Sequence, residues 1–421
     1  MHTQKKNTLH TQKKNTLLQG RFLIIFTLLI NALTWYYIIS TIIDMMITAF
    51  DPTKTQILTA WVIHYIAVFI FGILGAMLSE KMARRKLLQM WIVLGAIVSC
   101  LPIFVSNTSL EFAFFVSFLL GIVFGFGMPS CLAYFADITP MEKRGKKSAI
   151  ILLATNLVAA LFLISLQIIN SGIMYAALIA TIWRGLGLLV FFWDETKQKN
   201  IEPRQIEHVS FLSILQNSAI VLYLATWLLF CLIDRFEKPI LFSFFGVDFH
   251  NLLSIVEPVV GSISAVVGGV LADLIGRKRV AMYGFVALGI AYAMLGIMPT
   301  ALFSWYFYIL MDAIGAGFLW MVFILVLWGD LAMHQPKEKY YFVGSIPFFV
   351  SDIIRFAIPA VFTSEALISL AYATFSIASF FLFLAVIPLM YAPETLPEKK
   401  IRDRELKQYI DKAKKTKEKY T

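Results

Sequence analysis

The chain has 421 residues, 59% hydrophobic and only 15% charged, with a formal net charge of +10 and a mean hydropathy of +0.77. A soluble core of this length cannot hide so much apolar side chain, so the composition excludes a water-soluble protein and requires a membrane. The basic excess does not indicate a nucleic-acid reader, because it follows the ends of the apolar runs.

Residues 1–20 are a polar leader. His-Thr-Gln-Lys-Lys-Asn-Thr-Leu occupies 2–9 and again 10–17, which reads as a tandem duplication in a disordered segment. Runs of about 20 apolar residues follow, long enough to cross the hydrocarbon core as helices that satisfy their own backbone. The first six are predicted at 22–43, 57–79, 87–106, 111–136, 148–170 and 172–193, forming one bundle over 21–193. The first is too long and too polar inside for a cleaved signal peptide. A short polar linker, 194–213, contains Pro203. The next six runs are predicted at 214–236, 250–272, 280–299, 302–329, 341–363 and 366–391, a second bundle over 214–391. A basic tail, 392–421, sets Ile401, Leu406, Tyr409 and Ile410 at helical spacing; it reads as an amphipathic helix on the membrane surface or as a solvated tail.

Of 36 Lys and Arg, three (Lys54, Arg235 and Lys238) fall in odd-to-even loops, and Arg184 and Arg355 fall inside spans. The other 31 lie at the N-terminus, in even-to-odd loops or in the tail. The positive-inside rule therefore places both termini in the cytoplasm, against anionic lipid. Cys100, Cys131 and Cys231 lie in apolar runs without a pairing pattern and read as buried small hydrophobes.

The most informative stretch is Gly268-Gly269-Val-Leu-Ala-Asp273-Leu-Ile-Gly276-Arg277-Lys278-Arg279. A weaker copy is Gly75-Ala-Met-Leu-Ser-Glu80-Lys-Met-Ala83-Arg84-Arg85-Lys86. Glu80 and Asp273 are 193 residues apart, as are Arg84 and Arg277, and Asp137 and Asp330. A repeat of that length makes the chain a duplication. An acid at the end of a span can sit against the positive start of a neighbouring helix. By pseudo-symmetry Glu80 should face the start of the eleventh span near Tyr341, and Asp273 the start of the fifth near Ser148. Arg84 and Arg277 should reach Asp137 and Asp330. The eight residues Glu80, Arg84, Asp137, Arg144, Asp273, Gly276, Arg277 and Asp330 are thus candidates for a cytoplasmic gate. The bland alternative is surface charge that only fixes topology.

Several chemistries are absent from the sequence. Gly145-Lys146-Lys147-Ser148 lacks the upstream glycine of a phosphate-binding loop. There is no HExxH and no close His/Cys cluster for zinc. Neither an enzyme nor a cofactor or metal site is expected, so uphill work would draw on an ion gradient.

Twelve spans in a six-plus-six repeat, together with GGVLADLIGRKRV, resemble the major facilitator superfamily over about residues 20–395. The resemblance implies an all-α integral membrane fold of two pseudo-symmetric six-helix bundles. The first-half copy departs from the pattern at Glu80 and Ala83. Asp137-Ile-Thr-Pro140-Met-Glu-Lys-Arg144-Gly145 and Pro393-Glu394-Thr395 resemble loops of the sugar and metabolite branch. Other features depart from it: the seventh span has no Gln-Gln-x-Ser-Gly, the fourth no arginine, and the fifth no Gly-rich antiporter motif.

Charges inside the membrane are functional candidates by default. Asp352 and Arg355 lie mid-span at i, i+3, where they pair with each other or carry protons. Glu257 and His64 each lie 16 residues before their signature acid, about 24 Å from the cytoplasmic edge. An acid and an imidazole there suit proton coupling or an outer-gate hydrogen bond. Asp312 lies at similar height. Arg184 either snorkels or has a role of its own. The resemblance implies a cavity lined by spans 1, 4, 7 and 10. Its candidate solute contacts are Asn31, Trp35, Tyr36, Tyr223, Trp227 and Trp320.

The expectation is a monomeric, proton-coupled secondary transporter of a small sugar- or metabolite-like solute. A multidrug exporter of the same fold and a non-transporting sensor are the alternatives.

Overall fold

In the computed structural model, residues 2–169, 172–192, 209–333, 335–396 and 406 are described. Among them, twelve helices are long and apolar enough to cross a membrane. They are α1 (Phe22–Thr48), α2 (Lys54–Leu78), α3 (Arg84–Val105), α4 (Leu110–Ile138), α5 (Met141–Leu166), α6 (Ile173–Phe191), α7 (Ser218–Gly246), α8 (Val256–Ile275), α9 (Arg277–Ile297), α10 (Leu302–Leu331), α11 (Lys337–Val361) and α12 (Ser364–Tyr391). No strand occurs among the described residues.

Local chemistry sets several ends. Thr53 and Gln56 form a reciprocal capping box at the start of α2. Asn217 and Thr363 cap α7 and α12. Gly246, at φ 77°, ends α7, and Gly276, at φ 107°, separates α8 from α9; glycine holds such angles without a Cβ penalty. In its last third α10 carries a π-helical stretch, Met321–Val326, a local underwinding common at functional sites.

Helices α1–α6 pack into one bundle and α7–α12 into the other, and the two meet along α2–α11 and α5–α8. The α5–α8 approach depends on glycine: a Cβ on Gly269 would lie 2.5 Å from the Gly145 carbonyl oxygen. Large apolar side chains such as Leu161, Ile168, Phe303 and Phe380 stay exposed around the outside, where lipid would cover them. Ion pairs bring the described ends of α2–α3, α4–α5, α8–α9 and α10–α11, rich in Lys and Arg, together at one end, the basic end.

Three differences from the sequence expectation bear on function. The seventh span runs to Gly246 rather than stopping at 236. Arg235 and Lys238, assigned from sequence to an exterior loop, therefore lie within it, and Arg235 is buried. Attraction between paired charges offsets part of the desolvation cost that would otherwise push them out of lipid. The leader, expected to be disordered, is helical from His2 and continuous with the first span. Most of the 194–213 linker, and all of the tail beyond 396 except Leu406, lies outside the described residues.

Candidate functional site

At the basic end, Asp330 at the foot of α10 is 1% exposed. It accepts from Arg277 Nε at 3.0 Å and from Arg144 of the other bundle. Arg144 also donates to the carbonyls of Ala136 and Thr139, at 2.6 and 3.1 Å. Arg277 donates to the carbonyls of Ala272 and Met141. Asp273 accepts from the backbone N–H of Gly145 and of Lys146, both at 2.9 Å, so its charge meets the start of α5. Arg277 closes the set at 3.1 Å from Asp273.

The weaker copy makes a looser version of the same junction. Arg84 pairs with Asp137 at 2.7 Å and with Glu338 of α11 at 2.5 Å. Lys337 reaches Asp137 at 2.5 Å. Glu80 meets the start of α11 through Lys339 at 2.7 Å. Gly276 leaves room for Glu394, whose carboxylate accepts from the N–H groups of Arg277 and Lys278 at the head of α9. The segment after α12 is thereby tied to α9.

A second polar cluster lies far from that end. Its charged residues sit about 15–20 positions along their helices, about 22–30 Å from the basic end at 1.5 Å per residue. Asp352 of α11 stands between the bundles. It accepts from the Tyr65 hydroxyl of α2 and pairs with Arg235 of α7 at 2.9 Å. Arg355 is more distant at 4.0 Å. Asp234 lies 3.4 Å from Arg235 and 3.8 Å from Lys238. Deeper in the C-terminal bundle, Glu237 of α7 accepts from Tyr308 of α10 at 3.0 Å. Asp312, one turn along α10, is 5% exposed and within electrostatic reach of Glu237, Glu257 and Asp234. Glu257 of α8 is half-buried.

The sequence candidates divide accordingly. Asp352, Arg355, Glu257 and Asp312 come together in this outer cluster. His64 is within electrostatic reach of Asp352 but bonds elsewhere: its ring is fully buried between α2 and α4, and Nδ1–H donates to the Ser117 carbonyl at 3.0 Å. Asn31 and Trp35 face into the N-terminal bundle. Asn31 bonds the Trp183 carbonyl at 2.5 Å and accepts from Arg184 at 2.8 Å, and Trp35 donates to Ser99 at 2.9 Å. Arg184 is wholly buried there, over the rings of Trp91 at 3.9 Å and Trp35 at 4.6 Å. Tyr36 stacks on Phe124. Tyr223 donates to the Pro393 carbonyl near the basic end. Trp227 bridges α7 to α11 through the Gly344 carbonyl. Trp320 packs edge-on against Phe348, and Arg235 lies over both rings at 5.8 and 5.0 Å.

Asp234, Glu237, Lys238, Tyr65 and Tyr308 were not identified from sequence. A usable signal was present: after Lys238 the apolar run resumes and meets no glycine until Gly246. No group of three or more His, Cys, Asp or Glu side chains fit to hold a metal ion occurs among the described residues.

The sequence profile of the Major Facilitator Superfamily matches residues 24–359. No curated protein matches the chain. Among solved structures, it is similar to a proton:xylose symporter, XylE, bound to 6-bromo-6-deoxy-D-glucose. The TM-score is 0.70 at 16% identity, over 90% of this chain and 97% of that one. A bacterial homologue of the iron transporter ferroportin, in an outward-facing state, gives 0.69 at 14% identity over 89% and 99%. The human organic anion transporter MFSD10 gives 0.61 at 14% identity over 88% and 99%. At these identities the likeness concerns the fold.

Proposed function

The chain belongs to the major facilitator superfamily, and on that premise we propose that it is a proton-coupled secondary transporter of a small organic solute, working by alternating access. Asp330 carries this reading. It is buried at one end of the molecule and held by an arginine from each bundle. Such a junction can close that end in one state and must break in another, as two rigid bundles rocking about a central site require.

The basic loops, by the positive-inside rule, support a cytoplasmic location for both termini, and on that reading this junction is the cytoplasmic gate. The protein acts as a monomer in the cell membrane. The proton carriers are carboxyls of the outer cluster, Glu257, Asp312 and Asp352, because an acid in a low-dielectric span can exist both charged and neutral during a cycle. The solute is held between the bundles beside Tyr36, Trp320 and Phe348. The sugar and proton in the description of XylE belong to that protein and only make the same class worth testing here.

The test uses purified full-length protein in proteoliposomes with an imposed pH gradient, screened against radiolabelled sugars, organic acids and amines. Uptake above the equilibrium level, abolished by a protonophore, is the expected result. Asp352→Asn should lose uphill accumulation and keep solute exchange. If every solute only equilibrates whatever the gradient, proton coupling is wrong. If none crosses at all, the transporter reading fails.

A further inference from the structure

The charges of the outer cluster do not balance. Arg235 and Arg355 are matched by Asp352 and Asp234. That leaves Glu237, Glu257 and Asp312 facing one further base, Lys238, which itself lies 3.8 Å from Asp234. Three carboxyls from α7, α8 and α10 thus share one ammonium group. Asp312 is the sharpest case. It is 95% buried, yet it makes no hydrogen bond or ion pair among the described residues. Its neighbours by charge are Glu257, Asp234, Glu237 and Lys238, three acids and one base.

A buried carboxylate without a counter-ion is costly, and three together repel one another. The surplus has to be met by protons or by a bound cation. The described residues provide no metal cage, which directs attention to cations recognised by charge rather than by close coordination. The surroundings are aromatic. Tyr308 donates to Glu237 and packs edge-on against Tyr292 at 5.4 Å. Tyr37 of α1, 54% exposed, lies within electrostatic reach of Glu257 and Lys238 from the opposite bundle. Aromatic faces beside carboxylates favour organic ammonium groups.

Resting on the transporter reading above and narrowing its solute, we propose that Asp312, Glu257 and Glu237 form a subsite for the ammonium or guanidinium group of an organic cation. Lys238 is the resident cation that such a ligand displaces from these carboxyls. The bound solute and the driving protons compete for the same oxygens, so one leaves as the other enters. The site lies wholly in the C-terminal bundle, with Tyr37 closing it from the N-terminal bundle.

The experiment measures binding to the full-length protein in detergent, so it does not depend on transport. Benzyltrimethylammonium is the cationic probe, with benzoate as the anionic control and D-xylose as the neutral one. Calorimetric titration should show saturable binding of benzyltrimethylammonium alone, with release of protons into weakly buffered solution. Asp312→Asn and Glu257→Gln should each raise its Kd at least tenfold and reduce the proton release. Glu257 is half-buried, so its variant tests the site even where Asp312→Asn folds poorly. Lys238→Gln should tighten binding. Benzoate or D-xylose binding in place of the cation, or an unchanged Kd in Glu257→Gln, overturns the subsite and leaves the transporter reading standing. Cation binding without uptake of any solute into proteoliposomes overturns the transporter reading and keeps the subsite.

Discussion

Arg144 at the head of α5 donates to Asp330 at the foot of α10, and this buried ion pair joins the two bundles. Arg277 shares the same carboxylate from within the C-terminal bundle. Removing one member of a buried ionic set leaves the others uncompensated and costs about 3–5 kcal/mol. The cost falls on the form in which this end is closed. Asp330→Asn should therefore move the population toward the form open at the basic end. A reporter cysteine, Ile324→Cys on the inner half of α10 in a background without native cysteines, should label faster from the cytoplasmic side. Transport should fall while the amount of inserted protein stays near that of the parent. Unchanged labelling and transport would show that Asp330 is not part of a gate.

Asp273 accepts two backbone hydrogen bonds across the same junction. Asp273→Asn keeps one acceptor oxygen and loses the charge at the helix start. Interactions of this kind amount to roughly 1–3 kcal/mol, so its labelling should lie between the parent and Asp330→Asn. Glu80→Gln should be milder still, because Glu80 meets the opposite bundle through the flexible Lys339 side chain rather than through a helix start alone. A Glu80→Gln effect larger than that of Asp273→Asn would contradict this ordering.

The Gly145–Gly269 approach predicts a steric route to the same outcome. A Cβ at position 269 would lie 2.5 Å from a backbone carbonyl oxygen and 2.7 Å from the Ala149 methyl. Backbone cannot yield as a flexible side chain does. Gly269→Val should hold α5 and α8 apart, raise cytoplasmic labelling at Ile324→Cys, and lower transport with all the charges intact. Parent-like labelling in that variant would mean that the α5–α8 contact does not control closure.

The twelve helices were legible because length and hydropathy decide whether a segment spans a membrane, and the internal repeat made the basic-end charges visible by their constant spacing. The outer cluster was harder to read. Hydropathy treats a charge as a reason to end a span, yet Arg235 and Lys238 stay inside α7 because Asp352 and Asp234 neutralise them from neighbouring positions. Asn31 and Trp35 illustrate the opposite difficulty. Their residue types suit a solute cavity, but helix rotation turns them toward Trp183, Arg184 and Ser99. A single sequence does not show which way a helix faces when its apolar residues surround it on all sides.

Arg184 provides the last prediction, and the choice of replacement decides it. Its guanidinium is fully buried, bonded to Asn31 at 2.8 Å and stacked between Trp91 and Trp35. Nε and Nη2 have no hydrogen-bond partner. Burying the charge costs several kcal/mol. Two desolvated cation–π contacts return about 2 kcal/mol each, and the charged hydrogen bond returns about 1.5–3 kcal/mol, so the terms nearly cancel. Arg184→Met removes the cost and the return together and keeps most of the volume, so its thermal stability in detergent should stay close to that of the parent. Arg184→Lys keeps a charge that is more strongly hydrated and lacks the planar fork that stacks between rings. It should therefore melt well below both the parent and Arg184→Met, although it is the conservative change by charge. The Gly95 backbone, which leaves room for Nε only because it lacks a Cβ, gives the shorter lysine head no new partner. Melting curves of the three proteins in one detergent check the ranking. If Lys is tolerated and Met is not, the positive charge itself is what position 184 requires, and the stacking account is wrong.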